Sequence, residues 1–256
     1  MGKAPSEHKI VLATQAARSR FYVHDSKVML IALNKTIEPV IAKFITHSHV
    51  NLEIDHLVKP GFIKDAIVQI YKDVSPMFAR SQYEALVQRY VKSEWDDELD
   101  DFIAAFIEGQ GAEMVTAITD TTRKQIKSFL EDAIHEGTGA ADMAGALRNY
   151  FSDFNRTRAM LIARTEIHRA SNFGSYTSRD MFQKDYDATL IDTWLHAGNS
   201  PLSRSTHEAA DGQQRQHGTP FNLLNGYSPL YPQDGSGGAE EEANCNCLVY
   251  SFRKRD

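Results

Sequence analysis

The sequence predicts an α+β fold, with a helical first two-thirds followed by a region that carries a small β-sheet near the C-terminus. Two observations predict it. Apolar residues recur at three- and four-residue spacing from about residue 25 to residue 180. The pattern then changes to two short runs rich in β-branched and aromatic residues, Thr189–His196 and Cys247–Phe252, which read as strands.

Taken in order, residues 1–25 are polar and mixed and are expected to be extended or loosely held. From Asp25 to Thr46, Leu30, Leu33, Ile37, Val40, Ile41 and Phe44 share a helical stripe, and Pro39 predicts a kink or two helices meeting near Thr36. A second helix follows Pro60-Gly61, with Phe62, Ile63, Ala66, Ile67 and Ile70 on one face. Ser75-Pro76 has the form of a helix start, a side-chain cap before a proline, and opens a helix carrying Phe78, Leu86, Val87, Tyr90 and Val91. An acidic stretch, Glu94 to Asp101, leads into Phe102–Ile107.

Thr122 to Gln125 reads as a capping box ahead of the face formed by Ile126, Phe129, Leu130, Ala133 and Ile134. Gly137 and Gly139 bracket a turn, after which Met143, Leu147, Tyr150 and Phe151 are expected to face inward. A long helix from Asn155 to about Asp180 carries most of the polar information. Between the two strands lie long loops rich in glycine and proline, with one helical turn near Thr206–Ala210. Loops of that length in a compact domain call for something that pins them.

Composition limits the function classes. A formal net charge of -6 argues against coating DNA by bulk electrostatics. Two cysteines, Cys245 and Cys247, rule out a disulfide framework and fit folding in a reducing cytoplasm. The N-terminus lacks a secretory pattern and no apolar stretch is long enough to span a bilayer, so a soluble protein is expected.

Three constellations carry chemistry. Glu166 lies in the helical stripe of Ala159, Ile162, Ala163, Ala170 and Phe173, so its carboxylate must be paired, with Arg164 or Arg204 as the expected partner. Either it forms a structural ion pair that pins the C-terminal loops, or it is a catalytic carboxylate; no second carboxylate is obviously placed to share acid-base work. Arg158, Thr165, Arg169 and Asn172 form another line that could meet a phosphate backbone or a protein partner, or be a solvated face. His207, Asp211, Cys245 and Cys247 form the third, with His217 in reserve. Cysteines one residue apart on a strand point to one face, and His207 and Asp211 share a face if the intervening turn is helical. Such a set could hold a structural zinc ion; the alternative is two small buried cysteines beside a histidine. His47, His49 and His56 have a spacing that can bind metal but read as a surface loop, since no carboxylate pattern or cysteine supports a site, and Arg253–Arg255 either touches DNA or an acidic partner face or is a solvated tail.

Three stretches resemble the phage Mu protein F-like family. They are Thr121–Gly139; Arg158 through Arg164-Thr165-Glu166 to Ala170 and Asn172; and Trp194 through Arg204, His207 and Asp211-Gly212-Gln213 to Asn244-Cys245-Asn246-Cys247. Asn246 stands where similar proteins often have arginine. The resemblance implies a Mu F-like head morphogenesis domain over residues 113–256, behind a helical region 1–112 that would supply partner contacts. It implies a minor capsid protein in the virion, inside the capsid near the portal. The portal protein, the major capsid or scaffold protein and packaged DNA are then the implied partners, and head assembly, DNA packaging or genome ejection the implied roles. A nuclease or other hydrolase built from Glu166, Arg204, His207 and Asp211 is the alternative from another class, and a DNA-binding packaging factor a third.

Overall fold

The computed structural model describes residues 6–46, 54–87, 96–136, 138, 140–198 and 203–254. The first helix, α1, runs unbroken over Glu7–Thr46. The first 25 residues are therefore helical from residue 7, not extended, because their apolar positions find partners: Val11 packs on Leu195, Ala197 and Leu248. Pro39 does not split α1. Its ring and Lys35, whose carbonyl it leaves without a helical donor, both lie on the exposed face, where water can replace the missing bond.

A short turn of helix, α2 (Ile54–Leu57), precedes α3 (Gly61–Val87), which passes through Pro76. Ser75 is thus no helix start. Its hydroxyl donates 3.0 Å to the carbonyl of Ala170 on another helix, and that tertiary contact outweighs the local start signal. The next helix, α4 (Asp96–Phe106), continues through a π-helical turn, Ile107–Gly111, into α5 (Ala112–His135). Thr122 is likewise interior: its hydroxyl bonds back to Ile118 O at 2.8 Å and leaves no free amides to cap. The longest helix, α6, spans Ala140–Tyr186. Tyr90, Val91, Glu94, Gly137, Gly139, His47, His49 and Arg255, and the side chains of Phe44 and Ile134, lie outside the described residues.

The α+β architecture is completed by a three-stranded antiparallel sheet of order β2-β1-β3. Its strands are β1 (Leu190–Leu195), β2 (Gln214–Gln216) and β3 (Leu248–Arg253). Two short helices, α7 (Ser205–Ala209) and α8 (Gly238–Glu242), sit in the intervening loops. No described helix is long and apolar enough to cross a membrane.

The chain forms two compact units, each assembled from separate stretches: residues 1–23, 70–104 and 164–256 in one, and 24–69 and 105–163 in the other. The second unit is helical. Its core joins Ile37, Val40 and Ile41 to Ile126, Leu130 and Ala133 and to Met143, Leu147 and Phe151. Tyr150, expected inside, is 43% exposed and stacks on Phe154. In the first unit, Tyr83 packs with Met181, Phe182 and Leu190. There Gly174 of α6 meets the backbone of Ser75 so closely that a Cβ at that position would lie 2.3 Å from the Ser75 carbonyl oxygen.

Candidate functional site

The site lies in the first unit, where the α6 segment from Arg164 onward carries the turn Asn244–Cys247 that enters β3. Four backbone groups of that turn are held by side chains. The amide of Asn244, a residue in the left-handed region (φ 57°), donates to Thr165 Oγ1 at 3.1 Å. His168 Nδ1 bonds the Cys245 carbonyl at 2.8 Å and its Nε2 bonds the Tyr22 hydroxyl at 2.7 Å. A carbonyl only accepts, so Nδ1 carries the proton and Nε2 accepts. Burial, then the nearby Arg18 cation, pushes His168 well below the usual histidine range and keeps it neutral. Asn172 Nδ2 donates to the Cys247 carbonyl at 3.2 Å. Arg18, fully buried, donates to Ser171 Oγ, Asn172 Oδ1 and the Asn246 carbonyl.

Beside this turn, Glu166 and Glu242 share one cation. Arg169 donates to Glu166 Oε1 and to Glu242 Oε2, each at 2.7 Å, and all three side chains are nearly fully buried. The predicted pairing of Glu166 with Arg164 or Arg204 is therefore corrected. Arg164 is exposed, with its guanidinium 5.9 Å from the Tyr22 ring, whereas Arg169 lies one helical turn beyond Glu166 on the same buried side. Glu242 also accepts from the amides of Gly235 and Gly237, which anchors the loop ahead of α8. The line Arg158, Thr165, Arg169 and Asn172 is neither a solvated face nor an outward phosphate contact: Thr165, Arg169 and Asn172 are buried, and Arg158 donates to Thr122 Oγ1 and the Ile118 carbonyl.

The metal-type cluster forms in part. His207 Nδ1 lies 3.4 Å from Cys245 Sγ and 3.6 Å from Cys247 Sγ, with all three residues buried. His207 Nε2 lies 3.0 Å from Glu241 Oε2, and the ring stands edge-on to buried Trp194. Hydrogen bonding from Cys247, and then from His207, outweighs burial and holds the Cys245 thiol well below the usual thiol range; Cys247 is pushed up by the same bond and by burial. Burial lowers His207, but its bonds to Cys245 and Glu241 prevail and raise it. Asp211 is not in this group, because α7 ends at Ala209 and its carboxylate turns back to accept from the His196 amide at 2.8 Å. Gly212 takes a positive φ of 74° and donates to the Trp194 carbonyl. Arg204 holds the carbonyls of Glu240 and Ala243. The four residues of the hydrolase alternative thus each engage a different partner, and among the described residues no side-chain hydrogen bond or ion pair joins any two of them.

His217, the reserve ligand, is elsewhere. Its ring nitrogens face Asp192 Oδ2 at 2.7 Å and Asp180 Oδ1 at 2.9 Å, while Arg179 and Ser251 also approach Asp192. Tyr176 packs on the ring at 4.7 Å. A carboxylate on each nitrogen favours the protonated imidazole: burial lowers its pKa, but the bonds to Asp180 and Asp192 prevail and raise it. Arg179 and the two hydrogen bonds likewise outweigh burial and keep Asp192 below its usual value. A raised histidine adds stability fully present below its unfolded value of about 6.5 and lost as pH rises through the folded value. Urea midpoints measured from pH 6 upward should therefore fall in the wild type, and fall less in His217→Gln. Equal slopes in the two proteins would refute the assignment.

Sequence reasoning missed Arg18, His168, Glu241 and Glu242. Only the last two had a readable signal, as an acidic run three residues before Cys245.

Residues 124–250 match the sequence model of the phage Mu protein F like proteins, so this stretch is similar to that family. That similarity suggests a phage head morphogenesis protein. No curated protein and no solved structure matches the chain at a significant level.

Proposed function

We propose that this protein is a minor component of the phage head, bound to the portal inside the capsid, where it assists head assembly, DNA packaging or genome ejection. On this reading residues 1–112 supply partner contacts and residues 113–256 act as the head morphogenesis module. The observation that carries partner binding is a groove of about 1540 Å³ in the first unit, lined by α1, α3, α6 and the whole of β3. Its walls are mixed: Ile10, Ala13 and Ala17 on α1 and Phe78, Ala85 and Leu86 on α3 supply apolar surface, between polar residues such as Thr14, Ser81 and Gln82.

The open edge of β3 forms part of this groove. Lys254 N donates to Thr189 O, so alternation along the antiparallel ladder turns Leu248, Tyr250 and Phe252 toward β1. The amides and carbonyls of Val249, Ser251 and Arg253 point the other way, away from the sheet; Val249 and Ser251 are buried and Arg253 is exposed, and a strand edge left outside the ladder is a template for another strand. Lys9 and Arg253, both exposed, line the groove and none of its lining residues is a carboxylate, in a chain whose net charge is -6. The occupant that fits is an extended segment of the portal protein with apolar side chains and acidic ends.

Quantitative mass spectrometry of purified heads, made with and without portal, tests this. A few copies per head are expected, lost when the portal is missing. Lys9→Glu with Arg253→Glu, both at exposed positions, should cut incorporation by about tenfold or more through like-charge contact. Portal-independent incorporation, or a charge-reversed protein packaged at the wild-type level, would overturn the reading.

A further inference from the structure

We infer that His207, Cys245 and Cys247 form a metal site for a thiophilic divalent ion, zinc above all. The donor spacing is the first argument. A tetrahedral ion with bonds of about 2.3 Å to sulfur and 2.0–2.1 Å to nitrogen sets those donors about 3.5 Å apart. The observed separations of His207 Nδ1 from the two sulfurs are 3.4 and 3.6 Å. All three donor atoms lie within 4.8 Å of one another.

A neutral imidazole does not account for this convergence by hydrogen bonding; without an ion the three groups are satisfied only as a buried charge pair, with Nδ1–H donating to a Cys245 thiolate that also accepts from the Cys247 thiol. Imidazole Nδ1 offers a single lone pair when Nε2 carries the proton, and one lone pair cannot serve two thiols well. An ion placed between the three atoms takes the lone pair and both sulfurs together. Glu241 fixes the tautomer this needs: its carboxylate can only accept from Nε2–H, so Nδ1 is left free to coordinate. A carboxylate behind a ligating histidine is a recurrent arrangement in zinc sites.

The cysteines are also pre-positioned. Their turn is held by Thr165, His168, Asn172 and Arg18, so little ordering remains when an ion arrives. The cluster opens on a small cavity of about 20 Å³ bordered by His196, Ser203, Arg204 and Asn244. That is the space of one water molecule, enough for a fourth ligand. On binding, both thiols release their protons to solvent. Two thiolates then balance the charge of the divalent ion, so the buried centre is neutral. The ion cross-links α7 to the strand entry, where long loops need a pin.

The test is a Co²⁺ titration of the metal-stripped full-length protein, followed by zinc competition. It reads the visible bands of tetrahedral cobalt and the near-ultraviolet thiolate-to-metal band. One equivalent per chain is expected, displaced by zinc. Cys245→Ser and Cys247→Ser should each abolish the thiolate band or weaken binding at least about 100-fold. Glu241→Gln leaves all three donors in place and should weaken it about 10- to 100-fold. A folded wild-type protein that takes up no cobalt would overturn the site, as would a Cys245→Ser protein that binds as tightly as wild type. Because the readout is a spectrum of the isolated chain, this inference can fail while portal binding stands, and the reverse.

Discussion

Replacing Arg169 with leucine is expected to destabilise the first unit by about 3–5 kcal/mol, the cost of breaking a buried ion pair from one side. Arg169 is the shared partner of Glu166 and Glu242, whose side chains are 4% and 2% exposed. Without it, two carboxylates face each other in a dry interior, and one must take up a proton or drag in water. The damage should spread, since Glu242 also fixes the amides of Gly235 and Gly237 and accepts from the Tyr227 hydroxyl. Glu166→Gln is the informative contrast. Burial raises the Glu166 pKa against the pull of Arg169, with Glu242 adding repulsion. A neutral amide there keeps a hydrogen-bond acceptor and removes one of two like charges, so its cost should stay near 1 kcal/mol or below. Urea denaturation of both variants at neutral pH decides it. Equal losses in the two would mean that the triad is held by packing and not by charge balance.

The same triad marks where sequence reading succeeded and where it stopped. That Glu166 is buried and paired follows from helical periodicity, because 3.6 residues per turn puts it among Ala159, Ala163, Ala170 and Phe173. The partner did not follow, because the periodicity says which face a residue occupies and not which loop lies against it. The cysteine pair shows the same split. Spacing brought both sulfurs to one side and suggested His207, and the structure joins these three; Asp211 dropped out because a helix two residues shorter than needed turns its carboxylate away. Glu241, which orients the imidazole, sits in a run of three glutamates, and the run does not say which of the three faces His207.

Helix boundaries were the least legible feature, for a physical reason. Ser75-Pro76 and Thr122–Gln125 have the local chemistry of helix starts, yet both are interior. A capping side chain competes for free amides, and its hydroxyl is equally satisfied by a carbonyl. Ser75 finds that of Ala170 on α6, and Thr122 that of Ile118 within its own helix. Tertiary packing then decides whether the helix continues. Cores were read far better than ends: Ile126, Leu130 and Ala133 are buried together with Met143, Leu147 and Phe151, as their spacing required.

The contact that carries α3 past Pro76 also predicts the sharpest steric effect among the described glycines. Gly174→Ala places a methyl carbon 2.3 Å from the Ser75 carbonyl oxygen and 3.0 Å from the Ser75 Cα and carbonyl carbon. These are backbone atoms flanked by a proline and cannot swing aside as a side-chain tip would. The two helices must separate, at a cost of about 1–3 kcal/mol or more for overpacking, and the Ser75–Ala170 hydrogen bond is strained with them. Helix propensity acts in the opposite direction, because alanine in a helix interior is favoured over glycine by about 1 kcal/mol. Gly145 separates the two effects. It lies in the same helix, and a Cβ built there meets nothing within 4 Å. Gly145→Ala should therefore stabilise the protein by up to about 1 kcal/mol, while Gly174→Ala destabilises it, a difference of opposite signs along one helix. Thermal and urea unfolding of the two variants side by side would measure it. If both substitutions moved stability in the same direction, close approach at Gly174 would not be what sets the crossing of α3 and α6.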